Sequence, residues 1–422
     1  MNRVIEPELK LTNKVDFTLP EKIILDNGIQ AYVLNAGEQE VAKLELVFMA
    51  GEWYGEFSML ASAVNELLES GTAKRTAYEI SQSFDQYGAY LNTSCSFDTA
   101  SIKLFTLSRF IPETFSLLLE IMSEAVFPDE EVKIFTDQSI QQLKINSQKV
   151  DYISRKTFNQ MLFPDNHPYG RPASEADYKK LNSADLVLWH KQYYQPQNCV
   201  IFLSGRFNED AVKSLNQLFG PWKDSTLSKI VEKNFSIEKY KPERKYLEKK
   251  DALQTAIRIG CHTPNKLHPD YIPLTVLSTV LGGYFGSRRM SNLREERGYT
   301  YGVGCAMVSW LHGGYFFIST QVGKQHRENA LEQIYLEIKR LREEKIPDNE
   351  LNRVKSYMTG VYQRSLDGPM LVSDRIKSMV LYNQDFSLLN SYLQIMNSTD
   401  SNQLLDLANR YFSNKMTEVS AG

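Results

Sequence analysis

The two halves of this sequence repeat the same order of patterns, and this repetition limits the possible folds more than any single motif. In each half, alternating apolar residues predict strands, and apolar residues at helical spacing predict the helices between them. Residues 127–132 and 346–351 each join one long predicted helix to the next. In both, proline is expected to stop one helix and aspartate to cap the next. We therefore predict an α+β protein of two homologous domains, each a mostly antiparallel sheet packed against helices.

The repeat also divides the chain into domains. We predict an N-terminal arm over residues 1–20, a first domain over 21–222, a linker over 223–248 and a second domain over 249–422. The linker is placed at residues 223–248 because that stretch is polar and rich in lysine, which is typical of connections between domains. A duplication normally leaves a cleft between its two copies, which is a common place for a ligand.

The composition is that of an ordinary globular protein and argues against several classes of partner. With 23% charged residues and a net charge of −3, the chain offers no electrostatic case for nucleic acid or an anionic membrane. No apolar run has the length of a membrane span, and the first residues lack the apolar core of a signal peptide. The four cysteines stand far apart, so we expect buried free thiols. Together these features favour a cytoplasmic protein.

The segment 281–304 (LGGYFGSRRMSNLREERGYTYGVG) carries the most specific local pattern of the chain. An apolar helix is predicted to end at its Gly-Gly pair, and a basic helix is predicted over residues 287–297. After that helix the pattern changes to the alternation of a strand. Arg294 is therefore expected in the last turn of the basic helix, and Tyr301 on the strand that follows.

Arg294 and Tyr301 can converge on one cleft and donate hydrogen bonds to a peptide carbonyl or an anionic intermediate. A basic surface helix followed by a core strand is the simpler alternative, and the residue types alone leave it open. The glycines do not form a phosphate loop, because no Gly-Lys-Ser or Gly-Lys-Thr sequence follows them. We therefore reject a nucleotide site at this segment.

In the second half the chain carries the pattern LGG-x-F-x-S-R followed by LRE-x-RG-x-x-Y-x-V. In the first half it carries Gly51-Glu52, Gly71-Thr72, residues 88–92 (GAYLN) and residues 167–172 (HPYGRP). These motifs, in the expected order from about residue 20 onward, resemble those of the pitrilysin/insulinase superfamily of zinc peptidases, which includes the mitochondrial processing peptidases.

In this superfamily a first-half helix carries an inverted zinc motif, His-x-x-Glu-His, shortly before the Gly-Thr pair. The two histidines hold the metal, and the glutamate is the general base for the zinc-bound water. Counted back from the Gly-Thr pair, these positions fall on Ser62, Asn65 and Glu66, and a further glutamate ligand falls on Gln142. Serine and glutamine are poor zinc ligands, asparagine cannot accept a proton, and one glutamate cannot form a three-ligand site. The resemblance therefore implies that this chain binds no zinc.

The histidines do not indicate a second zinc site elsewhere in the chain. No two of them stand three or four residues apart, which is the spacing that would place them together on one helix face. His167 belongs to the HPYGRP element, which resembles a structural element of the superfamily, and the others are expected to be solvated. The six histidines are His167, His190, His262, His268, His312 and His326.

The resemblance also implies that the second half of active members presents an arginine and a tyrosine to the substrate. Arg294 and Tyr301 match these positions, although Arg297 and Tyr299 are neighbours that could confuse the assignment. The metal half of this chain is thus degenerate, whereas the substrate-contact half is intact. Some bacterial members are heterodimers in which one subunit carries zinc and the other carries the Arg–Tyr pair, and this chain resembles the second kind.

The leading hypothesis is therefore a non-catalytic subunit of a zinc peptidase, which holds no cofactor itself. A homologous partner with His-x-x-Glu-His would hold the zinc, and a peptide or unfolded polypeptide would be the substrate. The alternative is a non-enzymatic peptide-binding or structural scaffold, similar to the core subunits that respiratory complexes retain. A scaffold of this kind would not require Arg294 or Tyr301 for its role. An independently active peptidase with an unusual site is less favoured.

Overall fold

The computed structural model describes residues 12–163, 166–223, 233–235, 241–284, 298–300, 302–412 and 416–422. In the first half a sheet forms from strands that are separated by helices, as the alternating and helical patterns predict. These elements are β1 (Glu21–Ile24), β2 (Gln30–Asn35), β3 (Val41–Phe48), α1 (Leu60–Glu66), α2 (Ala77–Asp85), β4 (Tyr90–Cys95), β5 (Ala100–Leu107), α3 (Ile111–Glu124), α4 (Asp129–Asn146), α5 (Val150–Leu162), α6 (Glu175–Lys180), α7 (Ser183–Tyr193), β6 (Cys199–Gly205) and α8 (Glu209–Phe219).

The second half has a sheet of its own with long helices after it. Its elements are β7 (Arg244–Leu247), β8 (Gln254–Thr263), α9 (Tyr271–Ser278), β9 (Val303–Trp310), β10 (Gly313–Gly323), α10 (Arg327–Glu343), α11 (Asp348–Arg364), α12 (Pro369–Leu381), α13 (Leu388–Ser398), α14 (Ser401–Tyr411) and β11 (Thr417–Ala421).

The two sheets share one topology. Among the described residues, the first has the order β1-β2-β6-β3-β5-β4 and the second the order β7-β11-β8-β10-β9. In each, one parallel pair (β2 with β6, β7 with β11) is followed by antiparallel neighbours only. Strand β7 therefore corresponds to β2, β11 to β6 and β8 to β3. This correspondence confirms the predicted pair of homologous α+β domains with mostly antiparallel sheets.

Alternate residues of β3 face two different cores, because successive side chains of a strand point to opposite sides of the sheet. Leu44 and Leu46 belong to the core of the first half. Val47 belongs to the core of the second half, and Lys43 and Glu45 are buried on that same side. The sheet of the first half is therefore covered on both faces, and the second half supplies one of the covers.

The two halves exchange helices to cover these faces. Helix α12 of the second half packs on β2 and β6, and helix α5 of the first half packs on β8 and β11. At the α5 contact, Phe158 is fully buried and lies over Gly260. A Cβ atom at Gly260 would lie 2.8 Å from Phe158 Cζ and 2.1 Å from the Phe316 carbonyl oxygen, so only glycine permits this approach.

Each exchanged helix also forms an ion pair with the central strand it covers. Lys43 on β3 is 2% exposed, and its Nζ lies 3.0 Å from Asp374 Oδ1 on α12. Arg258 on β8 is 7% exposed, and its guanidinium lies 3.5 Å from Asp151 Oδ1 on α5. Burial lowers the pKa of both cations, and the charge of the paired aspartate opposes that shift.

Part of the segment predicted to be a linker packs against both halves. Strand β7 lies inside it and pairs with β11. Earlier in the segment, Phe235 packs on the Trp53 ring at 4.9 Å, and Lys233 Nζ donates a hydrogen bond to the Tyr54 carbonyl oxygen at 2.6 Å. A short edge strand with exposed lysine and arginine has the composition of a linker, which is why the sequence pattern did not reveal it.

The helix junctions confirm the predicted stop but correct the predicted cap. Helix α4 begins at Asp129 and α11 begins at Asp348, and the residue at the N-cap is Pro128 or Pro347 in each case. The aspartates are therefore the first helical residues. They stabilise these helix ends through the macrodipole rather than by accepting a capping hydrogen bond.

The cysteine prediction is confirmed in part. All four cysteines are free thiols, of which Cys199 and Cys261 are buried and Cys95 and Cys305 are half-buried. Over the described ranges, no helix combines the length and the apolar character that crossing a bilayer requires.

We predict that Asp374→Asn lowers the free energy of unfolding by about 1–2 kcal/mol, because it removes the carboxylate that forms the ion pair with the buried Lys43 ammonium. The loss stays below that of a fully buried pair, since the Asp374 side chain is 40% exposed. Urea denaturation at neutral pH measures the change. The matched control is Asp210→Asn, which breaks an exposed pair with Lys213 and should change stability by less than about 0.5 kcal/mol. Equal stability of both variants would contradict the role of the pair.

Candidate functional site

Helix α1, which the resemblance assigns to the zinc motif, is held at its first turn by Glu52. The Glu52 carboxylate accepts hydrogen bonds from Met59 N and Ser62 N, both at 3.0 Å, and from Ser62 Oγ at 2.6 Å. Burial raises the pKa of Glu52, and these hydrogen bonds oppose that shift. Ser62, at the position of the first zinc ligand, is therefore engaged in fixing the start of its own helix.

Asn65, at the position of the general base, is a core residue. It is 2% exposed, and its Nδ2 donates to the Tyr194 hydroxyl at 3.1 Å. Tyr194 is itself fully buried and packs on Phe48 and His190. An amide cannot take a proton from a water molecule, and this one is satisfied by the core around it. The position has become structural.

Glu66 and Gln142, at the two remaining positions, are both exposed. Gln142 Nε2 donates to Asn146 Oδ1 one turn further along α4, at 3.1 Å. In the part of the chain that the structure describes, no group of three or more His, Cys, Asp or Glu side chains could hold a metal ion. Ser62, Asn65, Glu66 and Gln142 therefore offer neither the ligand set nor the general base that zinc-dependent hydrolysis requires.

A cavity of about 410 Å³ opens beside Ser62. Glu52 and Ser62 line it from one side, and helix α5 contributes Arg155, Lys156 and Asn159 from the other. The sequence patterns did not indicate Glu52, Arg155 or Lys156 as site residues. The spacing of Arg155 and Asn159, four residues apart on one helix, is the pattern that could have revealed this wall.

Arg171, the arginine of the HPYGRP element, ties the segment before α1 to the cavity rim. Its Nε donates to Ser58 Oγ at 3.1 Å, and its terminal nitrogens donate to the Glu56 and Gly55 carbonyl oxygens at 3.0 and 3.2 Å. Its charge also lowers the pKa of Glu52, against the larger effect of burial. Arg171 therefore has a structural role and an electrostatic one.

The rest of the HPYGRP element is packed between the two halves. His167 is 1% exposed, and burial lowers its pKa to about 4, so the ring is neutral at physiological pH. The Tyr169 hydroxyl donates to Asp98 Oδ1 at 2.5 Å, and Asp98 Oδ2 accepts from Leu311 N of the second half at 2.8 Å. This confirms the structural role that was expected for the element.

The expectation that the other histidines are solvated is wrong for His190. It is 6% exposed, stacks on Tyr194 at 5.3 Å, and has a pKa lowered to about 4 by burial. His312 also makes a specific contact, because its ring stacks on Trp53 of the first half with centroids 3.9 Å apart. Aromatic packing, which histidine shares with phenylalanine and tyrosine, accounts for both positions.

Arg294 and Tyr301 lie outside the described residues, as does Arg297, so their predicted convergence remains a prediction. The elements on either side agree with the sequence pattern. Helix α9 is followed by a turn over Thr279–Gly283, and β9 places Val303 in the second-half core. Tyr299 stacks on His326 with centroids 4.7 Å apart.

Comparison with known proteins gives consistent matches over the chain. The family described as "Peptidase M16 inactive domain" matches residues 180–358. An uncharacterized zinc protease of Rickettsia bellii is 22% identical over 406 residues, which cover 94% of this chain and 96% of that protein. A non-peptidase homolog, YmxG of Helicobacter pylori, is 25% identical over 308 residues, which cover 71% of this chain and 69% of that protein.

A solved structure extends the match to the fold. The crystal structure of a peptidase M16 inactive domain from Pseudomonas fluorescens superposes with a TM-score of 0.84 at 23% identity, and covers 96% of this chain and 98% of that one. The predicted resemblance is thus confirmed, since the chain is similar in sequence and in fold to M16 peptidases and their inactive homologues.

Proposed function

We propose that this chain is the non-catalytic subunit of a zinc metallopeptidase. A homologous partner that carries His-x-x-Glu-His would hold the zinc, and this chain would help to bind the peptide substrate. The observation that carries the proposal is the state of α1. Its ligand and base positions are used by the fold, Ser62 through Glu52 and Asn65 through Tyr194. The motif has therefore lost its chemistry while the helix keeps its place.

Contribution to the partner's chemistry is assigned to Arg294 and Tyr301. During hydrolysis the peptide carbonyl becomes an oxyanion, and donors aimed at that charge act mainly on the transition state. A guanidinium supplies two parallel hydrogen bonds, and a phenol supplies one. The resemblance supports this role, because Arg294 and Tyr301 match the positions of the arginine and the tyrosine that active members of the superfamily present to the substrate. The name of the Helicobacter pylori relative, a non-peptidase homolog, is compatible with a chain that does no hydrolysis alone.

We predict that the purified chain holds no tightly bound zinc and cleaves no unfolded peptide. The reason is that Ser62, Asn65, exposed Glu66 and exposed Gln142 cannot form a three-ligand site. Elemental analysis after dialysis and a fluorogenic peptide assay measure the two properties. One zinc per chain that is lost in Glu66→Ala would overturn the assignment of α1 as inactive.

We predict that Arg294→Lys/Tyr301→Phe lowers turnover by the reconstituted pair at least about a hundredfold, since one such donor typically contributes a hundredfold to a thousandfold. Lysine keeps the charge but not the guanidinium fork, and phenylalanine removes only a hydroxyl. Peptide hydrolysis is measured with the homologous zinc-bearing chain, and assembly is checked by size-exclusion chromatography.

The matched control for this experiment is Arg297→Lys/Tyr299→Phe, which makes the same changes at the neighbouring positions and should leave turnover within about threefold, as expected of substitutions away from the reacting atoms. Full activity of the Arg294/Tyr301 variant in an assembled complex would show that this chain is a scaffold. Loss of activity in the control alone would move the role to Arg297 and Tyr299.

A further inference from the structure

The second half contains a cavity of about 270 Å³ that the proposed peptide role does not use. It lies among α9, the C-terminal turn of α11, α12 and α13. Two cations, three tyrosines and several apolar side chains line it. The main lining residues are Lys266, Arg375, Tyr271, Tyr362, Tyr392 and Leu389.

The two cations line the same cavity, and their hydrogen-bond donors are only partly satisfied. Arg375 Nε donates to Ser365 Oγ at 2.9 Å, and no described residue accepts a hydrogen bond from its terminal nitrogens. Lys266 Nζ donates to Ser378 Oγ at 2.9 Å, which uses one of its three hydrogens. Burial lowers the pKa of Lys266, and the charge of Arg375 lowers it further. Like charges held together in this way favour an anion between them.

The carboxylates nearest in sequence are engaged elsewhere. Asp374, beside Arg375 on α12, pairs with Lys43 on the opposite side of that helix. Asp270, beside Tyr271, accepts from Arg410 at 2.7 Å. Across the described ranges, no carboxylate lies within ion-pair distance of Lys266 or Arg375. The cavity therefore has uncompensated positive charge.

The tyrosines give this cavity a flat aromatic wall and further donors. The rings of Tyr362 and Tyr392 stack at 4.5 Å with an interplanar angle of 13°. The Arg375 guanidinium lies 5.4 Å from the Tyr362 ring. Burial raises the pKa of Tyr271 to about 12, so its hydroxyl keeps its proton. No described residue hydrogen-bonds the hydroxyls of Tyr271 or Tyr392, which leaves both available to a ligand.

We propose that this cavity binds a small aromatic carboxylate, with the carboxylate against Arg375 and Lys266 and the ring against Tyr362 and Tyr392. A guanidinium fork matches a planar carboxylate, and stacked rings favour a further ring in offset or edge contact. The cavity is smaller than a typical site for a drug-sized ligand, so it suits a compound of about one ring and one acid group. The carboxylate can come from a free acid or from the C-terminal residue of a peptide.

The test is isothermal titration calorimetry of the full chain with N-acetylphenylalanine, its neutral amide and inorganic phosphate. The carboxylate should bind, and the amide should bind at least about tenfold more weakly, since a hydrogen bond to a charged group contributes that much or more. Inorganic phosphate should also bind more weakly, because it has no ring. A heptapeptide that ends in phenylalanine distinguishes the two sources, since it binds as well as the free acid only if peptide C-termini enter.

Substitution of each cation tests whether Arg375 and Lys266 bind the carboxylate. Arg375→Gln and Lys266→Gln should each weaken N-acetylphenylalanine about tenfold or more. Lys213→Gln, which removes an exposed lysine on α8, is the control for net charge and should leave affinity unchanged. Thermal unfolding shows whether each variant is folded, and the two cation variants are independent of each other.

Four results would overturn the proposal. They are no binding of N-acetylphenylalanine at millimolar concentration, equal binding of the amide, equal or tighter binding of inorganic phosphate, and unchanged affinity in both folded cation variants. None of them bears on hydrolysis by the zinc-bearing complex, so the cavity and the proposed function are tested separately.

Discussion

The exchange of α5 and α12 between the two sheets is the contact on which the rest of the structure depends. Both faces of the central strands β3 and β6 are buried, and α12 of the other half covers one face of their sheet, where it packs on β2 and β6. Without that helix, Tyr32, Val47 and Phe202 would be exposed to water on the first sheet. Burying a side chain of this kind contributes roughly 1.5–3 kcal/mol. The stability of each half is therefore tied to the presence of the other.

The packing of helix α1 shows how the proposed loss of zinc-binding residues leaves the fold intact. Helix α1 has a buried apolar side, with Leu60, Ala61 and Val64 in the first-half core. That side keeps the helix in place whatever occupies the polar positions. Two of those positions have local partners, Glu52 for Ser62 and Tyr194 for Asn65, which satisfy groups that burial would otherwise penalise.

Local patterns were sufficient to predict most strands of the two sheets, because strand alternation, turn residues and glycine stops act over a few residues. The Asp-Asn-Gly turn between β1 and β2 is an example, since Gly28 adopts the positive φ of 91° that this turn requires. The repeated order of elements likewise predicted two homologous domains. The exchange of helices was not predictable in this way, because it is set by contacts between distant segments.

Lys43 illustrates what the local sequence pattern could not predict. In the strand VAKLELVF it occupies an alternate position, where a charged residue normally indicates a solvent-facing side. It is nevertheless 2% exposed, because α12 covers that side and supplies Asp374 as its partner. His190 is similar, because the sequence gives its polarity but not the Tyr194 ring on which it stacks. At the candidate site, the resemblance pointed to Ser62 and Asn65 but not to Glu52, whose role depends on contacts between the segment after β3 and the start of α1.

The duplication also accounts for the two cavities described above. In the first half a cavity lies where α1 meets α5, and in the second half one lies where α9 meets α12, which are the corresponding helices. Their charges have diverged. The cations of the first-half cavity share it with the carboxylate of Glu52, whose pKa is raised by burial although the charge of Arg171 opposes that shift. Lys266 and Arg375 have no carboxylate of this kind in the described structure. The positive charge of the first-half cavity is thus partly neutralised by a carboxylate of the cavity itself, whereas the positive charge of the second-half cavity is available to an anionic ligand.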